Sequence, residues 1–328
     1  FAEDVAGEVY LLDFGAGRLY RIDPVGQGVD TVPYDLAQAC PSAVNADGPG
    51  SVLVPYALQA PFWSDGAVKQ RWIAMPDGTQ ATVTATNDLD FPNGTVLVKQ
   101  FKLGGKKIET RLLMRHTDGT WAGYSYEWND AETAATKVVG GKEKALAGQT
   151  WVYPSEQQCL QCHTGAAGRS LGLELPQQNG LFTYPSTGRT ANQLDTLAHL
   201  GMVTLPQPPA NLPAYPEPFG TAPLAERARA YLHSNCSHCH QPGGPTPSTM
   251  DLRYATLLKD TKTCGLPPSI GDLGIANAKL VAPGSPSTSI VLERMKRLDG
   301  HRMPPIGRLV VDQQGVQVVT QWIQGLQA

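Results

Sequence analysis

Apolar residues in the stretch 51–153 fall in short segments rich in β-branched and aromatic side chains, the pattern of β-strands. Turn-forming residues such as Pro92-Asn93-Gly94 and Gly104-Gly105 separate these segments. Strands are predicted over 68–74, 79–86, 95–103, 107–115, 120–128 and 149–153. Short strands at this spacing predict an antiparallel β-sandwich-like domain.

Helical signals begin after residue 154. Ser155 is a good N-cap, and the helix that follows it would carry residues 159–163. A second helix is predicted over 190–200. Helical spacing returns after Thr221, and Asp312 is a good N-cap for a closing amphipathic helix.

Composition excludes several classes of protein. The 328 residues include 26 Lys or Arg and 29 Asp or Glu, so the net charge of -3 gives no reason to expect nucleic acid as a partner. Wholly apolar runs are only a few residues long, and we expect no transmembrane segment. Residue 1 is Phe and no signal-like segment follows, so we expect a mature or trimmed form.

Four of the six cysteines lie in two strings of the form C-x-x-C-H. These are Cys159-Leu160-Gln161-Cys162-His163 and Cys236-Ser237-His238-Cys239-His240. The spacing is that of covalent haem c attachment, in which two thiols join one porphyrin and the adjacent His binds the iron. The alternatives are a zinc site and a C-x-x-C redox pair. Two covalently bound haem c groups are the interpretation that uses both His163 and His240 as iron ligands.

The two remaining cysteines are Cys40 and Cys264. Covalent haem attachment takes place outside the cytoplasm, where disulfides are also permitted, so we expect a periplasmic or secreted protein. We predict a Cys40–Cys264 disulfide, with two separate buried thiols as the alternative. His233 and His238 are interpreted as surface groups near the second motif.

These patterns predict an α+β multidomain chain, in which a β-sandwich-like domain is followed by mostly α-helical haem domains. Four divisions are predicted. Residues 1–50 form an N-terminal hairpin with a connecting segment, and 51–153 form the β domain. Residues 154–220 form a first haem segment with a proline-rich linker, and 221–328 form a second haem domain.

Longer strings carry resemblances to known families. Residues 221–328 contain CSHCH, HRMPPIG and VVTQWIQGL, and this region resembles a class I cytochrome c domain. The region 60–204 contains APFWSDGAVKQRWIAMPDG and YPSEQQCLQCHTGAAGRSLGLE, and it resembles a family of largely uncharacterised bacterial dihaem c-type cytochromes. The N-terminal GEVYLLDFGAGRLYRI resembles the end of the β-propeller of sugar dehydrogenases that use pyrroloquinoline quinone, with an ordinary hairpin as the alternative.

For the second haem, Met303 is the predicted sixth ligand of the iron. It lies in Arg302-Met303-Pro304-Pro305, where two prolines stiffen the loop, and the resemblance to class I cytochromes implies a ligand Met there. A Met that fills a core gap and His301 as the ligand are the alternatives.

For the first haem, the sixth ligand stays open. Met202 is preferred and His199 is the alternative; Met114, His116 or an open site would also satisfy the sequence. Two covalent haems, the absence of a catalytic constellation in the sequence and the dehydrogenase-like N-terminal hairpin together predict an electron-transfer protein. We expect its partners to be a dehydrogenase of the quinone type as donor and a cytochrome or oxidase as acceptor. A dihaem enzyme such as a peroxidase, with an open site at the first haem, is the alternative.

Overall fold

The computed structural model describes residues 2–3, 9–13, 18–22, 31–48 and 51–327. The chain divides into two compact units, Phe1–Tyr34 and Asp35–Ala328. The predicted segments 51–153, 154–220 and 221–328 all belong to the second unit.

The N-terminal unit contains a three-stranded antiparallel sheet. Its strands are β1 (Ala2–Glu3), β2 (Val9–Asp13) and β3 (Arg18–Ile22). Strands β2 and β3 pair from Val9 opposite Ile22 to Asp13 opposite Arg18, as in the predicted hairpin. Residues 14–17, between these two strands, lie outside the described residues.

The second unit is built on one six-stranded antiparallel sheet. The strands in its spatial order are β11 (Ala135–Val138), β10 (Trp121–Trp128), β9 (Lys106–Arg115), β8 (Val96–Leu103), β5 (Val68–Ala74) and β4 (Val54–Tyr56). Two-stranded pairs are formed by β6 (Thr82–Val83) with β7 (Leu89–Asp90), β12 (Lys142–Leu146) with β13 (Gln149–Tyr153), and β14 (Leu181–Thr183) with β15 (Thr190–Asn192). The hairpin between β8 and β9 turns at Gly104 and Gly105, both with positive φ, which glycine adopts without steric cost.

The helices are short. They are α1 (Leu36–Ala39), α2 (Glu156–Cys162), α3 (Leu175–Gln178), α4 (Gln193–His199), α5 (Leu224–Leu232), α6 (Ile290–Lys296) and α7 (Gln313–Gly325). Both predicted caps are present: Ser155 forms a capping box with Gln158, and Asp312 accepts a hydrogen bond from the N–H of Gly315. In the described part of the chain, no helix is both long and apolar enough to cross a membrane.

The predicted fold class is wrong on two points. The molecule is mostly sheet, and the haem-motif regions are not mostly α-helical. Between His240 and Ile290 the structure has only the 3-10 turns Leu258–Asp260 and Pro286–Thr288, because Pro and Gly recur too often there for a helix to propagate.

The predicted sandwich is also not formed, because the other sheets among the described residues of the second unit are two-stranded pairs. One face of the six-stranded sheet packs Ile73, Leu97 and Leu113 against Leu175 of α3 and Leu194 of α4. On the opposite face, Trp72 donates a hydrogen bond of 2.9 Å to Asp47. Alternation along a strand reports a buried face, but it does not say whether a sheet, a helix or a loop covers that face.

Candidate haem-attachment sites

Strand β10 positions the helix that carries the first motif. A Cβ added at Gly123 of β10 would lie 2.6 Å from Cβ and 2.8 Å from Sγ of Cys159. Only a residue without a side chain lets α2 approach the sheet this closely. Cys159 is consequently buried, and burial raises the pKa of its thiol to about 11.

His163 ends α2, and its ring is oriented by a backbone contact. Its Nδ1 lies within hydrogen-bonding distance of the carbonyl oxygen of Arg169. Burial lowers the pKa of His163 to about 3, so the imidazole is neutral at physiological pH. With Nδ1–H donated to a carbonyl, Nε2 is the nitrogen that remains for a metal.

The first motif opens into a cavity of about 230 Å³, which we call the first cavity. Cys159, Cys162 and His163 line it together with apolar side chains such as Leu97 and Phe101. Five cationic side chains also line it: Lys69, Arg71, Lys99, Arg111 and Arg302.

The second motif follows helix α5 directly. The helix passes into a π-helical turn, His233–Ser237, which contains Cys236, and the motif then ends at His240. Cys236, Cys239 and His240 line a second cavity of about 130 Å³. The Nδ1 atom of His240 is buried and has no hydrogen-bond partner within the described residues, and burial lowers the pKa of this ring.

Met303 lies in the same cavity as His240. Its loop is held at α6, where the N–H of Met303 donates a 3.1 Å hydrogen bond to the carbonyl of Arg294. His301 is exposed and lines neither cavity. Of the two sequence candidates, the structure therefore brings only Met303 together with the second motif.

The candidates for a sixth ligand at the first motif lie elsewhere. Met202 packs against the apolar cluster that contains Leu197, and His199 is exposed at the end of α4. Met114 has the opposite strand parity to Arg111 and Leu113, which line the first cavity, and His116 hydrogen bonds the Tyr124 hydroxyl at 3.0 Å. None of the four lines the first cavity.

The two motifs contact each other. The Cys239 thiol lies 3.7 Å from the carbonyl oxygen of Gln161, and the Thr164 hydroxyl donates a 2.9 Å hydrogen bond to the carbonyl of His238. The pKa of the Cys162 thiol is raised to about 12, mainly by burial and further by the neighbouring Cys239. Attachment sites that are 77 positions apart in sequence are thus neighbours in space.

One loop borders both cavities. Met303, Pro304 and Pro305 line the second cavity, while Arg302, Ile306, Gly307 and Leu309 line the first. The carboxylate of Asp65 anchors this loop, because it accepts 2.9 Å hydrogen bonds from the N–H groups of Leu309 and Val310.

Two interpretations of individual residues are corrected. His238 is buried, not a surface group, and its ring meets Phe62 edge-on at 5.6 Å; His233 binds the carboxylate of Glu174 at 2.8 Å. The predicted Cys40–Cys264 bridge is not formed, and both thiols are free. Cys40 is the C-cap of α1, whereas Cys264 packs at the edge of the core around α7. The number of cysteines outside the two motifs does not show where each of them lies in the fold.

Sequence reasoning missed Gly123, Asp65 and the cations of the first cavity. The described residues contain no group of three or more His, Cys, Asp or Glu side chains arranged to hold a metal ion.

No protein-family model, curated protein or solved structure matches this chain.

Proposed function

We propose that this chain is a dihaem c-type cytochrome that transfers electrons. Cys159, Cys162 and His163 would hold one haem c, and Cys236, Cys239 and His240 would hold the other. Each haem supplies one-electron redox chemistry, and the protein sets its potential through the axial ligands and their surroundings.

The residues present fit such groups. His163 offers Nε2 because Nδ1 faces a carbonyl, and each motif borders a cavity with a largely apolar lining. Met303 stands beside His240 in the second cavity, where a thioether would favour ferrous iron.

The contact between the two motifs is the observation that carries the proposal. Electron tunnelling is fast only between centres that lie close together. The contacts from Cys239 to Gln161 and from Thr164 to His238 hold the two attachment sites side by side, as a two-centre relay requires.

The test is haem stoichiometry together with magnetic coupling. Wild type should carry two covalently bound haems, and the double variants Cys159→Ala/Cys162→Ala and Cys236→Ala/Cys239→Ala one each. Electron paramagnetic resonance of the oxidised wild type should show coupling between the irons that both variants lose.

Cys40→Ala and Cys264→Ala are the matched controls, because they remove a thiol outside the motifs. Both should keep two haems. Denatured wild type without haem stain, or with zinc in place of iron, would refute the proposal.

We further propose that the donor is a dehydrogenase and the acceptor a cytochrome or oxidase in the periplasm. The resemblance of the N-terminal segment supports this choice of donor. Reduction of the purified protein by candidate dehydrogenases, followed in the α-band, tests it.

One observation favours a second function, that of a dihaem enzyme. Apart from His163, neither a Met nor a His lines the first cavity among the described residues. An iron held there could keep an open or displaceable position. Rapid binding of carbon monoxide at one ferrous haem would support the enzyme, whereas two haems that ignore carbon monoxide would support electron transfer alone.

A further inference from the structure

Three cations stand side by side on the sheet face that borders the first cavity. Strand pairing places Arg71 of β5 opposite Lys99 of β8, and Lys99 opposite Arg111 of β9. Directly opposite side chains on neighbouring strands have Cβ atoms about 5 Å apart, and like charges in such pairs destabilise a sheet. We call Arg71, Lys99 and Arg111 the cation row.

The acidic groups nearby neutralise only Arg111 of this row. Glu109 binds Arg111 in a two-pronged ion pair of 2.7 and 2.8 Å and also accepts from Trp151. Asp65 is engaged by backbone N–H groups, and Glu143 is exposed at the rim.

Arg71 and Lys99 therefore lack an anionic partner. Arg71 is 6% exposed, and its Nε has no hydrogen-bond partner within the described residues. Lys99 points into the same cavity, and its Nζ likewise has no hydrogen-bond partner in the described part of the chain. Arg71 is buried and Lys99 is half-buried, and cations held away from water without an anionic partner are costly, so a bound anion would stabilise both.

The neighbouring positions on this face are apolar. Leu97 of β8, Leu113 of β9 and Gly123 of β10 pair across neighbouring strands, all three line the first cavity, and Gly123 is the position closest to Cys159. An apolar row beside a cationic row matches a ligand with an apolar body and an anionic edge.

We propose that the cation row binds the carboxylate groups of the ligand that fills the first cavity. The carboxylates can come from the two propionates of a covalently bound haem, in which case the inference rests on the proposed function. They can also come from a free small carboxylic acid. Both sources use the same chemistry, in which carboxylate oxygens accept charge-assisted hydrogen bonds from Arg and Lys.

The electrostatics of the first cavity agree with this proposal. Burial, and then the charges of Arg71 and Arg111, lower the pKa of Lys99 to about 7. A carboxylate bound beside Lys99 would reverse that shift, because an opposite charge favours the ammonium form.

The test uses Lys99→Gln and Arg71→Gln in the full chain. Lys102→Gln is the matched control, because Lys102 is on the same strand β8 but does not line the cavity. Arg111 is left intact, since its loss would leave Glu109 buried without a counter-charge. The reduction potentials of both haems and the resonance Raman bands of the propionates are measured.

If propionates occupy the row, both variants lower the potential of the first haem, because losing a nearby positive charge favours ferric iron. Its propionate bands shift, and the second haem does not change. If a free acid occupies the row, succinate perturbs the wild-type spectrum saturably, and Lys99→Gln weakens that affinity by about tenfold or more.

The inference is overturned if neither variant differs from Lys102→Gln in potential, propionate bands or succinate affinity. Should wild type carry no covalent haem, the proposed function fails on its own. Succinate calorimetry with the same variants then decides the cation row: saturable binding that Lys99→Gln weakens supports it, and no binding rejects it.

Discussion

Replacing Gly123 by Ala tests whether strand β10 holds the first motif in place. The new Cβ would lie 2.6 Å from Cβ and 2.8 Å from Sγ of Cys159. Carbon atoms pack best about 3.5–4.0 Å apart, so α2 must move away by about 1 Å. Overpacking of this kind costs about 1–3 kcal/mol of unfolding free energy.

The same displacement should reduce haem occupancy at the first motif, because the Cys159 thiol moves relative to His163. Urea unfolding and haem stoichiometry are the two measurements. Gly300→Ala is the matched control, since a Cβ there meets nothing within 4 Å. If Gly123→Ala is as stable as Gly300→Ala and keeps two haems, the contact between β10 and α2 does not position the motif.

Three further predictions concern the second motif and its supports. Met303→His should lower the potential of the second haem and Met303→Ala should open it to carbon monoxide in redox and ligand titrations, while His301→Ala changes neither. Asp65→Asn should cost about 1–3 kcal/mol in urea unfolding, because its carboxylate accepts backbone N–H groups of the shared loop. Gly315→Ala should lower the free energy of unfolding by about 1–3 kcal/mol in thermal or urea unfolding, because its Cβ would overlap the ring of Tyr231 on α5. Gly325→Ala should change the stability little, because a Cβ there meets nothing within 4 Å.

Local signals in the sequence predicted five of the six strands well, whereas the strand predicted over 79–86 is only Thr82–Val83 and the helix predicted over 190–200 is only Gln193–His199. Strands β5 and β13 begin and end at the predicted residues, and β8, β9 and β10 differ from prediction by one residue. The capping residues Ser155 and Asp312 begin the helices expected of them. Each of these features depends on a few neighbouring residues, which is why a single sequence can report it.

Long-range placement could not be predicted in the same way. Met202 follows His163 at a plausible sequence distance, yet it packs in a different cluster, because distance along the chain does not say which face of a helix meets which cavity. The contact between Gln161 and Cys239 likewise depends on how the segments around α2 and α5 pack together. The residues of the two motifs alone therefore do not predict this contact.

The cation row depends on one irregularity in the pairing of β8 with β9. Next to the glycine turn Lys102 pairs with Lys107, but beyond it Phe101 pairs with Glu109, so Ile108 is an extra residue on β9. Without that bulge Lys99 would face Thr110, and Arg111 would point to the opposite side of the sheet, because a shift of one residue reverses every side chain. The bulge thus brings Arg111 onto the face of Lys99 and next to the first motif. Removing Ile108 should leave a regular ladder in which Phe101 still faces Glu109 and Lys99 still faces Arg111, so the deletion should keep Arg111 in the cavity. Only a hairpin that kept Ile108 and paired without the bulge would turn Arg111 to the opposite side of the sheet.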